Sequence, residues 1–348
     1  MEVKKLDYLN VAKGIAITLV VIGHAISKNI VSTSYYWLVL RNIIYTVHMP
    51  VFFIVAGMLF YIKKEKYSDL GIRSYVVNKF KIYIIPYVSM NIVAVCLFLI
   101  ISIIPKLNKM VEIPISIRKG AVAIVKSVVF FINPIDEHLW FAYVMFLVLT
   151  LALLVYKFCN NSRNRKICAI ILIGVLFMLS YFYPLPDLIK KVIRDGLYFL
   201  IGYYIQGCEF CNRKKVFHAS IVSYICFFTI YQNIFSDNNN YMPIQGLLLL
   251  AIGVSGALNI ILASKVLCSK LNGLKRLFVC LNDYSYPIYL YQQPFLVSGT
   301  VIILTKFGCN LLLTVLVASL VGTIVPILVY KYIVSKSRTL NALFGGGR

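Results

Sequence analysis

Charged side chains are scarce in this sequence, and acidic ones are rarest. Only 12 of its 348 residues are Asp or Glu, and charged residues make up 14% of the chain, against 60% hydrophobic residues. A soluble domain needs a more strongly charged surface than this. Together with a mean hydropathy of +0.84, the composition predicts an integral membrane protein.

The signatures of several common enzyme classes are also missing. The sequence has no GxSxG, P-loop or dinucleotide-binding fingerprint in a usable context. Its nine Cys and four His show neither a disulfide framework nor paired metal-ligand spacing, so we predict no metal. The 35 Lys and Arg form short clusters between apolar runs instead of a continuous stripe, and we therefore expect no nucleic-acid partner.

Long apolar runs are abundant. A run of about 20 residues crosses the ~30 Å hydrocarbon core of a bilayer, and ten such runs predict spans near 9–27, 42–62, 82–104, 138–157, 167–183, 192–208, 216–235, 243–264, 284–305 and 310–331. We predict an all-α integral membrane protein in which residues 1–348 form one polytopic domain. AVAIVKSVVFFI in the loop 105–137 is short and carries Lys126 in its middle, which indicates an interfacial or re-entrant segment.

The distribution of Lys and Arg predicts the orientation of these spans. Ten spans place both termini on one side; with that side inside, 23 of the 35 basic residues are inner, 11 are outer and Lys13 lies within the first span. Because inner loops are enriched in Lys and Arg, we expect cytoplasmic N- and C-termini. We expect the first run to be a retained span, and we interpret His218, beside an inner basic cluster, as an interfacial residue.

The other three histidines fall at outer ends of predicted spans. The first span runs outward and ends near His24, whereas the second and fourth run inward and begin near His48 and His138. Arg41 lies two helical turns before His48, and Glu137 directly precedes His138. Ionisable groups in spans are candidates for function, and His exchanges a proton near neutral pH. The pattern predicts an outer-facing site where a His acts as general base on a hydroxyl.

Basic residues near inner ends of spans form a second pattern. Lys13 lies 11 residues before His24, about 16 Å along a helix, and Arg73, Lys79 and Lys81 precede or begin the third span. These cations fit positive-inside anchoring or a cytosolic site for a phosphate-bearing ligand. The sequence leaves both interpretations open.

The chain resembles the acyltransferase-3 family of multi-span membrane acyltransferases over nearly its whole length. The matching segments, in order, are LDYLNVAKGIAITLVVIGHA, YTVHMPVFFIVAGMLFY, KFKIYIIPY, HLWFAYVMF, LYFLIGYYI and YSYPIYLYQQPF. Each is loose alone, but their order and spacing are specific. The resemblance is to the branch that includes fucose 4-O-acetylase and surface-polysaccharide O-acetyltransferases.

Particular residues carry this resemblance. The family's first motif, a basic residue, ten residues and then His, falls on Lys13 and His24. His48, and His138 with Trp140, match later motifs.

The late motif departs from the family pattern. Many relatives carry a His just before the QP pair, whereas this chain has Gln292 there, followed by Gln293. A Gln side chain does not provide the proton transfer of an imidazole.

The resemblance implies transfer of an acyl group, usually acetyl, from cytosolic acyl-CoA to a sugar hydroxyl of a lipid-linked or surface glycan. It implies a multi-pass protein of a bacterial plasma membrane, in contact with membrane lipid. His24 would be the general base or a transient acyl carrier. The residues expected to orient it or the acceptor are Glu137, His48 and His138. Those expected to bind CoA phosphates are Lys13, Arg73, Lys79 and Lys81, and those expected to bind substrate are Arg41, Trp140, Gln292 and Gln293.

An alternative from a different class is a transporter or flippase of a lipid-linked glycan, which also needs many spans and a polar interior. Transporters often show paired halves, and no internal repeat is visible in this sequence. Acceptor-dependent release of CoA from labelled acetyl-CoA distinguishes the two, because only the enzyme produces it. The sequence leaves the oligomeric state open.

Overall fold

Helices form the regular elements of this protein throughout the part described by its structure, a computed structural model covering residues 6–104, 122, 125–126, 137–159, 162–208, 214–234 and 243–346. The helices of the first half are α1 (Asp7–Ala25), α2 (Lys28–Val31), α3 (Tyr35–Ile62), α4 (Lys64–Asp69), α5 (Ile72–Ile103), α6 (Trp140–Cys159) and α7 (Arg163–Phe182). Those of the second half are α8 (Asp187–Gly207), α9 (Lys214–Ile234), α10 (Pro243–Lys270), α11 (Asn272–Asp283), α12 (Ser285–Tyr291), α13 (Val297–Lys306), α14 (Leu311–Tyr332) and α15 (Arg338–Phe344).

The all-helical membrane architecture is confirmed. Eight helical segments within the described ranges are long and apolar enough to cross a bilayer. The predicted spans 192–208 and 216–235 are also helical, as parts of α8 and α9, but these helices are more polar: α8 alone carries Asp187, Lys190, Lys191, Arg194 and Asp195. Ten spans and cytoplasmic termini therefore remain predictions. The segment AVAIVKSVVFFI lies almost entirely outside the described residues.

Side-chain caps explain where α7 and α14 begin. The Ser162 side chain accepts a hydrogen bond from the Arg165 backbone N–H, 3.4 Å away, at the start of α7. Asn310 accepts from the backbone N–H groups of Leu312 and Leu313 at the start of α14. Such side chains satisfy N–H groups that have no partner inside the helix.

The described residues form two compact units. The first comprises the described parts of 1–20, 34–75 and 147–283, and the second those of 21–33, 76–146 and 284–348. In the first unit α3 packs against α8 and α10, and α10 packs against α9. The span in α3 is 61% buried and that in α7 only 11%, so α3 is central and α7 peripheral.

Glycines let α3 and α8 approach closely. A Cβ atom at Gly57 would overlap the Phe199 carbonyl, and one at Gly202 would overlap the Ile54 carbonyl. The contact is therefore reciprocal, with each backbone resting where the other helix has no side chain. Small residues at such crossings are the usual way that membrane helices pack tightly.

An ion pair ties the beginning of α1 to α11 within the first unit. Asp7 Oδ2 lies 2.6 Å from Lys275 Nζ, and this hydrogen bond holds the pKa of Lys275 above its usual value. The charge of Asp7 also suits the positive N-terminal end of the α1 dipole. The pair fixes the start of the helix that carries Lys13 and His24.

In the second unit, α14 is the element against which the C-terminal segments pack. α12, α13 and the irregular turn Gln292–Leu296 all contact it. The Tyr286 hydroxyl donates to the Ile82 carbonyl at 2.8 Å, which joins α12 to α5. The Tyr291 hydroxyl donates to the Phe344 carbonyl at 2.7 Å, which holds α15.

Candidate active site

His24 and His138 lie side by side in the second unit. Their ring centroids are 6.0 Å apart and the ring planes are inclined at 75°. His24 is in the last turn of α1, and His138 is in the one-turn 3-10 helix Glu137–Leu139 that leads into α6. Two histidines that are 114 positions apart in the sequence thus meet in the folded chain, while their outer depth remains a prediction.

Tyr289 on α12 clamps His138 by two hydrogen bonds. His138 Nε2 lies 3.0 Å from the Tyr289 backbone oxygen, and the Tyr289 hydroxyl donates to the His138 carbonyl at 3.2 Å. A carbonyl oxygen only accepts, so His138 Nε2 carries a proton and the lone pair of the neutral ring is on Nδ1. The His138 side chain is 8% exposed. The clamp therefore fixes both the orientation and the tautomer of this ring.

The Tyr289 hydroxyl also makes a hydrogen bond at the start of α6. It accepts a hydrogen bond from the Ala142 backbone N–H at 3.2 Å, one of the first-turn N–H groups that no carbonyl of the helix can reach. The Tyr289 ring also packs edge-on against Phe141, with centroids 5.4 Å apart. Sequence reasoning missed Tyr289, and the only signal for it was its place in the segment YSYPIYLYQQPF.

Gln292 is a deeply buried polar residue close to this clamp in the sequence. It is fully buried, and neither its amide nitrogen nor its amide oxygen has a hydrogen-bond partner among the residues that the structure describes. The Gln292 backbone N–H bonds to the Ile288 carbonyl, so Gln292 continues the helix three residues after Tyr289. Residues three apart are neighbours on one helix face, which places Gln292 on the face that holds His138.

Three other predicted site residues, Gln293, Trp140 and Glu137, belong to the same two segments of the chain. Gln293 has extended backbone angles of φ −117° and ψ 156° that break the helix, and its amide oxygen accepts from the Ser298 hydroxyl at 2.6 Å. The Trp140 ring lies 6.4 Å from that of Phe141, edge to face. Glu137 is the first residue of the 3-10 turn.

His48 and Arg41 share one side of α3 in the first unit. His48 Nδ1 lies 2.7 Å from the Ile44 carbonyl, so Nδ1 carries the proton and Nε2 the lone pair. Tyr45 stands between the two residues: its ring centroid is 5.1 Å from that of His48 and 4.5 Å from the Arg41 guanidinium carbon. Arg41 and His48 therefore lie on the same face of α3, two turns apart, with Tyr45 in contact with both.

The predicted phosphate-binding cations lie on two helices. Lys13 is half-buried on α1, while Arg73 is exposed in the first turn of α5. Lys79 and Lys81 follow on α5, which begins ten residues before the predicted span. Because residues two apart on a helix point in different directions, Lys79 and Lys81 do not share a face. In the part of the chain that the structure describes, no group of three or more His, Cys, Asp or Glu is placed to hold a metal ion.

A buried ion pair on α8 was also missed. The Arg194 guanidinium donates twice to Asp195, at 2.9 Å and 3.1 Å, and the Asp195 side chain is 1% exposed. Sequence reasoning used Arg194 only in the count of outer cations. A fork of this kind satisfies a carboxylate that burial would otherwise penalise.

Comparison with known proteins places the chain in a family. Searches of curated proteins and of solved structures found no match. The sequence matches the family described as Acyltransferase domain, acyltransferase 3, over residues 6–331. That range includes both histidines of the pair, the Tyr289 clamp and Gln292. The chain belongs to the acyltransferase-3 family and is a membrane acyltransferase.

Proposed function

We propose that this acyltransferase is an O-acetyltransferase of a bacterial plasma membrane. It moves an acetyl group from cytosolic acetyl-CoA to a sugar hydroxyl of a cell-surface or lipid-linked glycan. The observation that carries the proposal is the pair His24–His138, with ring centroids 6.0 Å apart and one ring held in a fixed tautomer by Tyr289. An imidazole beside a second, oriented imidazole suits proton transfer from a hydroxyl near neutral pH.

In the proposed reaction His24 is the catalytic base. It removes the proton of the acceptor hydroxyl as the hydroxyl oxygen attacks the thioester carbonyl carbon of acetyl-CoA. The carbon–sulfur bond then breaks, the acetyl group stays on the sugar oxygen, and the protonated His24 returns its proton to the departing CoA thiolate. Each proton and electron pair is thereby accounted for, without a further reactant.

His138 orients His24 or the acceptor, because its own ring is fixed by Tyr289. Gln292 is suited to substrate because its buried amide retains its donors and its acceptor for a ligand. The substrate carbonyl and the acceptor hydroxyl both need such partners in a water-poor site. Glu137, His48, Arg41, Trp140 and Gln293 are the other proposed contacts to the base or the acceptor.

The proposed contacts for CoA are cations on α1 and α5. Lys13, Arg73, Lys79 and Lys81 supply positive charge where acyl-CoA brings phosphates. The differing directions of Lys79 and Lys81 mean that each would meet a different part of the donor.

Mass spectrometry of surface glycan from cells with and without the protein tests this function. Acetylation adds about 42 mass units, the mass of the C2H2O that acyl transfer leaves on a hydroxyl. We expect the heavier glycan only in cells that carry the protein. Unmodified glycan in both strains, or a mass shift of a longer acyl chain, would contradict acetyl transfer to surface glycan.

A further inference from the structure

A groove runs between α6, α7 and α8 in the first unit, whereas the histidine pair belongs to the second. It encloses about 210 Å³ and is lined almost entirely by apolar side chains, among them Phe60 of α3. A single water needs only ~10–15 Å³ of such space. The groove is therefore far larger than a packing defect.

The groove extends along the helix axes. Its lining residues recur every three or four positions on each helix, from Val148 to Cys159 on α6 and from Lys166 to Leu176 on α7. At ~1.5 Å per residue these stretches measure about 15 to 16 Å. This is roughly half of a ~30 Å hydrocarbon core, which is the depth of the acyl chains of one leaflet.

Polar and aromatic groups gather at one end of the groove. Cys159 Sγ donates to the Arg165 carbonyl at 3.6 Å, which joins the end of α6 to the start of α7. Lys166 follows in the first turn of α7, and Tyr203 and Tyr204 of α8 complete the lining there. Cations and tyrosines are typical of the headgroup level of a membrane, so the groove is apolar over most of its length and polar at one end.

Among the side chains that the structure describes at this end, Lys166 is the available cation. Arg165 is engaged, because it donates to the Phe158 carbonyl at 3.2 Å and its guanidinium lies 5.0 Å from the Phe158 ring centroid. Lys157 donates to the Ser68 carbonyl at 3.1 Å. The exposed Lys166 side chain, in contrast, makes no ion pair or hydrogen bond with any described residue.

Small residues create the space. A Cβ at Gly196 would meet no heavy atom within 4 Å, and Ala152 and Ala169 line the opposite walls. The surrounding part of α7 is only 11% buried by protein. Membrane lipid is therefore the neighbour that this helix must accommodate.

We propose that this groove binds one acyl chain of an anionic membrane lipid, with the lipid phosphate at Lys166. The apolar length matches the chain, and the charge of Lys166 is complementary to the headgroup. Basic pockets between membrane helices on the cytoplasmic side bind anionic headgroups in this way. The site stands apart from acyl transfer and does not depend on it.

Native mass spectrometry of the purified full chain tests the proposal. The protein is titrated with phosphatidylglycerol and with phosphatidylcholine of identical acyl chains. We expect one tightly retained lipid, with phosphatidylglycerol favoured about fivefold, the effect of one Lys near an anionic surface. Lys166→Ala should abolish the preference. Gly196→Leu should abolish retention of either lipid, because the new side chain fills the groove.

Two matched variants serve as controls. Lys66→Ala removes an exposed cation of α4 that does not line the groove, and Gly174→Leu adds a side chain on α7 where a Cβ also meets nothing within 4 Å. Both should bind lipid as the unmodified chain does. Undiminished retention by Gly196→Leu would overturn the site, and equal retention of the two lipids by the unmodified chain would overturn the role of Lys166. Displacement of the lipid by palmitoyl-CoA with palmitoyl transfer would make the groove a donor channel and also overturn the proposal.

Discussion

Tyr289 contacts His138 through its backbone carbonyl and through its side-chain hydroxyl. A single substitution distinguishes the effects of these two groups. Tyr289→Phe removes the hydroxyl that bonds to His138 and Ala142 but keeps the backbone carbonyl that fixes the His138 tautomer. Leaving the buried Ala142 N–H without its partner should lower the free energy of unfolding by about 1–3 kcal/mol. Turnover should fall far less than the ~100-fold expected for loss of an acid–base group.

Thermal unfolding and turnover measured on the same Tyr289→Phe preparation check this. A large loss of turnover with unchanged stability would contradict it, since it would make the hydroxyl itself a catalytic group.

A second prediction at the level of single residues concerns Gln292. Gln292→Met keeps the length of the side chain but removes both amide groups, which have no partner among the described residues. Removing such buried groups should leave stability unchanged or raised, whereas kcat/KM should fall about 100-fold if the amide binds reacting substrate. Steady-state kinetics and a melting curve measure the two effects.

Gln245→Met is the matched control for Gln292→Met. Gln245 is 7% exposed, and its amide oxygen also has no partner among the described residues, but it lies on α10 in the other unit. Its substitution should spare activity. Equal activity of both Met variants would remove Gln292 from the site.

At the scale of helices, the crossing of α3 and α8 depends on Gly57 and Gly202. Adding a Cβ at either position forces it into the backbone carbonyl of the opposite helix. Gly57→Ala and Gly202→Ala should each destabilise the protein by about 1–3 kcal/mol, as overpacking does. Unfolding in detergent, followed by circular dichroism, measures this.

Gly174→Ala is the control for the helix crossing, because its Cβ would meet open space. Ala favours a helix over Gly by ~1 kcal/mol, so this variant should be at least as stable as the unmodified chain. Similar stability for all three Ala variants would show that close approach is unimportant at this crossing.

Sequence patterns predicted most helices because an apolar run of span length has few other structures available in a membrane. The predicted helix boundaries were wrong where charged residues lie inside a helix. α5 begins at Ile72, ten residues before the predicted span, because Arg73, Lys79 and Lys81 lower hydropathy without breaking a helix. The break at Gln293 had a signal in the following Pro294, which disfavours helical angles in the residue before it.

The histidine site was predictable only in part. Span direction predicted a common outer depth for His24, His48 and His138, and of these three the structure shows His24 and His138 in contact. The contact itself depends on how distant helices pack, which no local pattern encodes. Tyr289 could not be singled out because the chain has 25 tyrosines and Tyr is common at membrane interfaces.

At the scale of the whole molecule, the predicted orientation is open to direct test. Reporters fused after Arg348 or inserted between α6 and α7, within residues 157–166, should report cytoplasm, and one inserted in SDNNNY, residues 236–241, should report the outside. The expectation rests on the excess of inner Lys and Arg. A C-terminal reporter on the outside would refute ten spans and the common depth assigned to the histidines.

Transfer of labelled acetyl from acetyl-CoA to surface glycan, in membranes with equal amounts of each variant, tests His24 most directly. His24→Gln keeps a hydrogen-bonding side chain that cannot accept a proton at neutral pH, and His218→Gln makes the same change at an exposed His outside the site. We predict that transfer falls about 100-fold or more in His24→Gln and stays near the unmodified rate in His218→Gln. Undiminished transfer by His24→Gln would contradict its role as the catalytic base.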